Sequence, residues 1–327
     1  MSENSQKNSE IIKLIIDLNA VILSVSPDND FNLTVLTINN QKNVLPWGLY
    51  NPKIHPTMEH SLRHWVKNQT GMDLVQVEQL YTFGDAGRFS FGDPNRHIIS
   101  TGYIASIQPK HRSSQSSGRW SEIYQHFPWE DFRAGRPALL DDFILPKLYE
   151  WSQNEATHKR IRFCFGHAGD LWQEESILER FELMYEAKLV FEAIRDANEN
   201  MSAETYVSAE DTKLPTGRYM QFDHRRILAT AIARMRVKVK NHPVIFELMP
   251  DTFSLFDLQK TTEGILGYNL HKQNFRRFVE REKLVAKTGE LRSQLSGRPA
   301  SLYRFNDDLV GKPNVLGLRI GNANSAH

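Results

Sequence analysis

Four side chains in the C-terminal third carry the plainest chemistry. Lys272, Gln273, Arg276 and Arg277 share one face of a stretch whose other face is Phe275, Phe278 and Val279. Arginine and lysine reach guanine edges and phosphates, and glutamine pairs with adenine. Lys287, Arg292, Arg298 and Arg304 follow closely. From Gly217 to Phe305 there are 17 Lys and Arg against 8 Asp and Glu, whereas the rest of the chain has 23 against 31. The whole chain of 327 residues has a net charge of only +1. Bulk charge therefore excludes non-specific attraction of a polyanion to the entire surface. The uneven distribution gives the C-terminal segment a basic character suited to one.

Other chemistries are poorly served. Cys164 is the single cysteine, so neither an intramolecular disulfide nor a multi-cysteine zinc site can form. It reads as a small buried apolar residue. The 12 histidines include no HExxH or other tight ligand spacing, so no metal is expected. The N-terminus, MSENSQKNSE, lacks the basic and apolar regions of a signal peptide. Apolar runs such as Ile11–Ile16 fall far short of a membrane span. A reduced, cytoplasmic setting with no membrane partner is expected.

The elements that must position these residues follow from local pattern. Residues 1–10 read as disordered. Leu18–Val25 and Leu33–Asn39 read as a hairpin around the turn cluster at 26–30. His55-Pro56-Thr57 opens a helix capped by Thr57, which carries Leu62, Trp65 and Val66 on one face and stops at Gly71. Strands are expected at Leu74–Phe83 and His97–Ile107. Arg160–Phe165 reads as a strand and Glu174–Asn198 as one helix. A polar linker spans 201–216. Then come helices from Asp223 as N-cap to about Lys240, from Ser254 to Gly267 with a capping box, and from about Asn269 to Lys283. A hairpin over Leu284–Phe305 completes the order of a winged helix-turn-helix, with Gly267-Tyr268-Asn269-Leu270 as its turn. A solvated basic helix would carry similar residues, but the turn length, the polar face and the wing together favour DNA. Residues 217–305 are thus expected to form the DNA-binding domain and 306–327 a tail.

The segment Leu45–Met72, LPWGLYNPKIHPTMEHSLRHWVKNQTGM, resembles the Nudix signature. Aligned on Gly71 and Met72, the signature arginine falls on His64, its first helix glutamate on Trp65 and the glutamate pair on Asn68 and Gln69. Those glutamates hold magnesium in the hydrolases, and every one is neutral here. Further runs are similar to the Nudix-related regulators of NAD metabolism, of the NrtR and NadQ type: Val77–Arg88, Arg96–Tyr103, Glu179–Ala187, Phe222–Leu228, Asn274–Arg277 and Gly297–Arg304. The long Trp120–Asn198 region is similar to the NadQ branch.

The resemblance covers roughly 11–305. It implies an α/β plus α architecture: a Nudix-like α/β/α sandwich over 11–200 that senses a nucleotide, and a winged helix. It also implies a homodimeric repressor on a palindromic operator near NAD biosynthesis or salvage genes, with ADP-ribose, NAD or ATP as effector and no required cofactor. The chain is then no enzyme, the alternative being an ADP-ribose or NAD diphosphatase with an atypical metal site. The expected ligand contacts are Arg88 and Arg96 on phosphates, Trp47 and Phe83 stacking on adenine, and Gly48 allowing close backbone approach.

Overall fold

A computed structural model describes residues 13–38, 43–85, 96–112, 118–167, 169–197, 214–293, 299–306 and 308. The expectations placed on 1–10, on most of the linker, on most of the tail, and on Arg88 and Arg298 lie outside the described residues.

The N-terminal unit is built on one mixed sheet. Its strands are β1 (Lys13–Ser26), β2 (Asn32–Thr37), β3 (Trp47–Leu49), β4 (Glu78–Phe83), β5 (Arg96–Ser106) and β6 (Arg119–Glu122), in the order β4-β5-β1-β2-β6 with β3 beside the first half of β1. β1 and β5 are parallel, from Lys13↔Arg96 to Leu23↔Ser106, and the other pairs are antiparallel. β1 is central, and alternation divides it between two cores. Leu18, Ala20 and Ile22 face helix α1 (Met58–Thr70) through Leu62 and Val66. Val21, Leu23 and Val25 face the opposite, larger core. The expected start of α1 holds: Thr57 Oγ1 accepts from the His60 amide, and Gly71 closes the helix in the left-handed conformation at φ 72°.

Between 123 and 196 the regular elements are helices. Short α2 (Ile123–His126) leads to α3 (Leu145–Trp151), α4 (Glu155–Phe165), α5 (Ile177–Glu186) and α6 (Phe191–Asp196). The strand expected at Arg160–Phe165 is the last half of α4. Asn154 caps that helix by accepting from the Thr157 amide, and Gly166 ends it at φ 55°. Those end signals outweigh the short apolar run between them. The single helix expected over Glu174–Asn198 is two, because the chain turns at Lys188, φ 57°.

The long helix α7 (His224–Asn241) buries Ile227, Leu228, Ala231, Ile232, Met235 and Val239 against the sheet and α5. Gly102 on β5 makes room for it: a Cβ there would lie 2.9 Å from Ile227 Cγ2. Asp223 does not cap the helix as expected; its carboxylate pairs with Arg226 at 3.2 Å. The expected domain start at Gly217 therefore precedes a helix that belongs to the N-terminal core. The winged helix begins later, with a single 3-10 turn at Val244–Glu247. Helices α8 (Leu255–Leu266) and α9 (Lys272–Arg281) and the hairpin β7 (Val285–Arg292) and β8 (Ala300–Phe305) follow, and Phe253 pairs with Tyr303 as a third short strand.

A buried ionic cluster joins the two units. Glu130 accepts from Arg180 at 2.5 and 2.9 Å and from Arg236 at 2.7 Å, and all three side chains are inaccessible. Arg236 also donates to the Ile265 carbonyl at the end of α8 and to the Glu174 carbonyl, while Tyr124 donates to the Gly264 carbonyl. Burial would raise the Glu130 carboxyl, but the two guanidiniums outweigh it and hold it below the usual carboxylate range. Breaking such a cluster on one side leaves a buried charge short of a partner. Arg236→Met is expected to cost about 3–5 kcal/mol, measured by urea unfolding. A loss under 1 kcal/mol would contradict the role given to this arginine.

Candidate functional site

The helix-turn-helix is held by its own polar residues. Ser254 and Asp257 form the expected capping box: Ser254 Oγ accepts from the Asp257 amide at 3.1 Å, and the Ser254 amide donates to Asp257 Oδ2 at 2.8 Å. Gly267 ends α8 at φ 84°, and a Cβ there would meet the Glu130 carbonyl at 2.5 Å. Buried Glu263 closes the turn by accepting from Gln259 and from the Leu270 amide. The turn is also tied to the N-terminal unit, since the Phe132 amide donates to Gly267 O and Asn269 donates to Arg133 O.

α9 is shorter than expected, starting at Lys272. Phe275 and Val279 are buried and Phe278 is half-buried. Lys272, Gln273, Arg276 and Arg277 are all exposed and make no hydrogen bond or ion pair among the described residues, and Lys287 on β7 is likewise exposed and unpaired there. Arg292 differs, because it donates to Asp257 Oδ1 at 2.8 Å and fastens the wing to the first turn of α8.

The charge split has a second destination that the sequence alone did not assign. All six Lys and Arg residues of α7 face acids of the N-terminal unit. Arg225 meets Glu192; Arg226 meets Glu182 and Asp85; Arg234 and Lys238 meet Glu78; Arg236 meets Glu130; Lys240 meets Glu174 and Glu175. The basic segment thus docks with one part and leaves α9 and the wing exposed.

On the N-terminal unit, the positions aligned with the Nudix acids have structural work. Gln69 bonds both the amide and the carbonyl of Trp47, at 3.0 and 2.7 Å. Trp65 donates to the Leu49 carbonyl, and Asn68 bonds His64 at 2.8 Å. Gln69 and Trp65 thus fasten β3 to α1, and Asn68 bonds within α1, at positions where the hydrolases carry carboxylates. Glu59 is engaged by Arg63 at 2.7 Å. No group of three or more His, Cys, Asp or Glu suited to a metal ion occurs among the described residues.

Of the expected ligand residues, Arg88 lies outside the described residues, and the other four are placed by the sheet and α1. Trp47 is half-buried, with its ring edge-on to Phe222 at 5.0 Å and to His224 at 6.4 Å. Gly48 is covered by Trp65, whose ring would lie 2.3 Å from an added Cβ, so its lack of a side chain serves packing. Phe83 is buried, with the Arg226 guanidinium 4.6 Å over its ring. Arg96 is exposed at the start of β5, four residues before Ser100. That places it about 13 Å along the strand.

A group the sequence reading missed surrounds Trp47. Asp17 and Asn19 lie on the α7 side of β1, Asn19 pairing in register with Trp47. Asn19 donates to Asp17 Oδ2 at 3.1 Å. His224 Nδ1 accepts from the Leu45 amide at 3.0 Å. Nothing in the local sequence marks these residues, because their meeting depends on β1 and the start of α7 being packed together. Burial pushes the Asp17 carboxyl up to about 6, against the pull of Ser100 and Asn19. Burial also pushes His224 down to about 3, as it does His126, which is enclosed between Ser121 and the Arg218 carbonyl.

The family described as the NrtR DNA-binding winged helix domain matches residues 245–305. That match covers the helix-turn-helix of α8 and α9 and the hairpin of β7 and β8. The chain is also 35% identical over 125 residues to the ADPR responsive transcriptional repressor NtrR of Acinetobacter baylyi, a match that covers 38% of this chain and 48% of the relative. The chain thus spans about half the length of that curated relative. Shewanella oneidensis NrtR complexed with a 27mer DNA superposes with a TM-score of 0.49 at 18% identity, over 90% of this chain and 94% of the other. A MutT/nudix family protein from Enterococcus faecalis gives 0.49 at 16% identity, over 90% and 88%. The NrtR winged helix match begins at 245, after α7, in agreement with the packing of α7 on the sheet. No helix among the described residues is long and apolar enough to cross a membrane.

The two buried imidazoles predict a pH dependence. Each has a folded pKa near 3 and an ordinary value of 6.5, so their contribution is intact above pH 6.5 and is lost as pH falls from there toward 3. Between pH 7 and 5 each costs about 2 kcal/mol, and raised Asp17 returns about 1. Urea unfolding at the two pH values is expected to differ by about 3 kcal/mol. His126→Gln should reduce the difference, and an equal difference in that variant would refute the assignment.

Proposed function

We propose that this protein is a DNA-binding transcriptional repressor whose α/β domain senses an adenine nucleotide, with ADP-ribose the first candidate and NAD and ATP the others. The observation that carries the reading is the cationic face of α9: Lys272, Gln273, Arg276 and Arg277 stand exposed and unpaired among the described residues, while Arg281 and Arg292 nearby are engaged. A helix presented in this way enters a major groove, while Lys287 on the wing meets the backbone. Arg298 is proposed to join it, and Arg292 to act mainly by holding the wing. Two recognition helices in a homodimer would read a palindromic operator beside NAD biosynthesis or salvage genes. The relative's description as an ADPR responsive repressor supports the effector. The neutral residues at the Nudix acid positions support a sensor without hydrolytic function or a required cofactor. Arg88 and Arg96 remain the proposed phosphate contacts. A reduced, cytoplasmic location fits the reading.

Operator binding should be measured by fluorescence anisotropy on duplexes from promoters of NAD genes, across salt. Arg276→Ala and Arg277→Ala are each expected to weaken specific binding by about 1–3 kcal/mol, and Lys287→Ala to lower the salt slope by about 1. ADP-ribose, NAD or ATP should shift the operator Kd by about 5–150-fold. Unchanged affinity and slope in the arginine variants would defeat the DNA-reading role. Magnesium-dependent turnover of ADP-ribose would overturn the non-enzymatic reading.

A further inference from the structure

The surroundings of Trp47 contain more unmet hydrogen-bonding capacity than a packed core tolerates. Asp17 Oδ1, Asn19 Oδ1, His224 Nε2 and both side-chain polar atoms of Gln221 are buried without a hydrogen-bond partner among the described residues. Asp17 is 2% exposed, Asn19 0%, His224 1% and Gln221 1%. Buried polar atoms are nearly always satisfied, so a concentration of exceptions calls for a binding partner.

Their chemistry is complementary to one type of ligand edge. Because His224 Nδ1 accepts from the Leu45 amide and the ring is neutral, the proton sits on Nε2, which is a donor facing no acceptor. Asn19 Oδ1 and Asp17 Oδ1 are acceptors two residues apart on one strand face; the Ser100 hydroxyl beside Asp17 draws on its carboxylate but does not complete a bond to Oδ1. Above these groups are two aromatic rings, Trp47 and Phe222, 5.0 Å apart and half-buried. Phe222 adopts φ 57°, a left-handed conformation that a bulky residue rarely holds without an external reason.

We propose that this chamber takes the planar heterocycle of the effector, with an amino donor satisfying Asp17 and Asn19 and an adjacent acceptor satisfying His224. Trp47 and Phe222 cover its face. Adenine presents such an edge, and so does a nicotinamide carboxamide. The chamber also adjoins the start of α7, whose Arg236 holds the end of α8. A ligand that moves Phe222 would therefore act on the element that carries the winged helix. The inference rests on the nucleotide-sensing reading and specifies which residues do the sensing.

Isothermal titration of the full chain with AMP, IMP and nicotinamide mononucleotide tests it without any variant. AMP binding at least about tenfold tighter than IMP, whose keto group replaces the amino donor, assigns adenine. Binding of nicotinamide mononucleotide but not AMP assigns the carboxamide. Either result supports the chamber. AMP and IMP bound alike without nicotinamide mononucleotide, or none of the three bound, overturns it. Asn19→Leu should weaken ADP-ribose at least about tenfold, with folding checked by circular dichroism. If ADP-ribose binds wild type and this variant equally, the chamber is refuted while the sensing reading stands. If ADP-ribose, NAD and ATP all fail to bind wild type, the sensing reading itself falls, and the inference with it.

Discussion

Glu130 sits without solvent access between Arg180 and Arg236, and the architecture converges on it. One carboxylate and two guanidiniums in a closed interior are stable only with every strong bond made. That demand fixes α5, which carries Arg180, against α7, which carries Arg236. Arg236 passes the constraint to the end of α8 through the Ile265 carbonyl, and Gly267 lies so close to the Glu130 carbonyl that no other residue fits. The winged helix is thereby held at its turn by the N-terminal unit.

The same electrostatic logic explains the distribution of charge. Cations on α7 neutralise acids spread from Glu78 to Glu192, so most of the basic excess near the end of the first unit serves assembly. Exposed cations begin at α9 and continue into the wing. The near-neutral total conceals an internal docking surface and an external one, built from the same residue types and separated by about thirty positions of chain.

Around Leu45–Met72 of the N-terminal unit the positions aligned with the Nudix acids carry neutral side chains. Gln69 and Trp65 bind the backbone of β3, work a carboxylate could not share with a metal ion. The polar interest of this unit shifts to the other face of β1, where Asp17, Asn19 and His224 lie beside Trp47.

Sequence alone determined features whose signals are local. Thr57, Gly71, Ser254, Asp257 and Gly267 mark helix ends because capping is a contact between residues at most four apart. The apolar stripe of α9 and its polar face follow from helical periodicity in the same way. Arg160–Phe165 is ambiguous in sequence because a short apolar run is compatible with strand or helix, and the caps at Asn154 and Gly166 decide for helix. The tertiary structure alone decided that α7 belongs to the first unit, that Phe83 lies under Arg226, and that Trp47 meets Phe222 across 175 positions of chain. Buried pairing and unmet buried polarity are properties of surfaces brought together, so no window of sequence contains them.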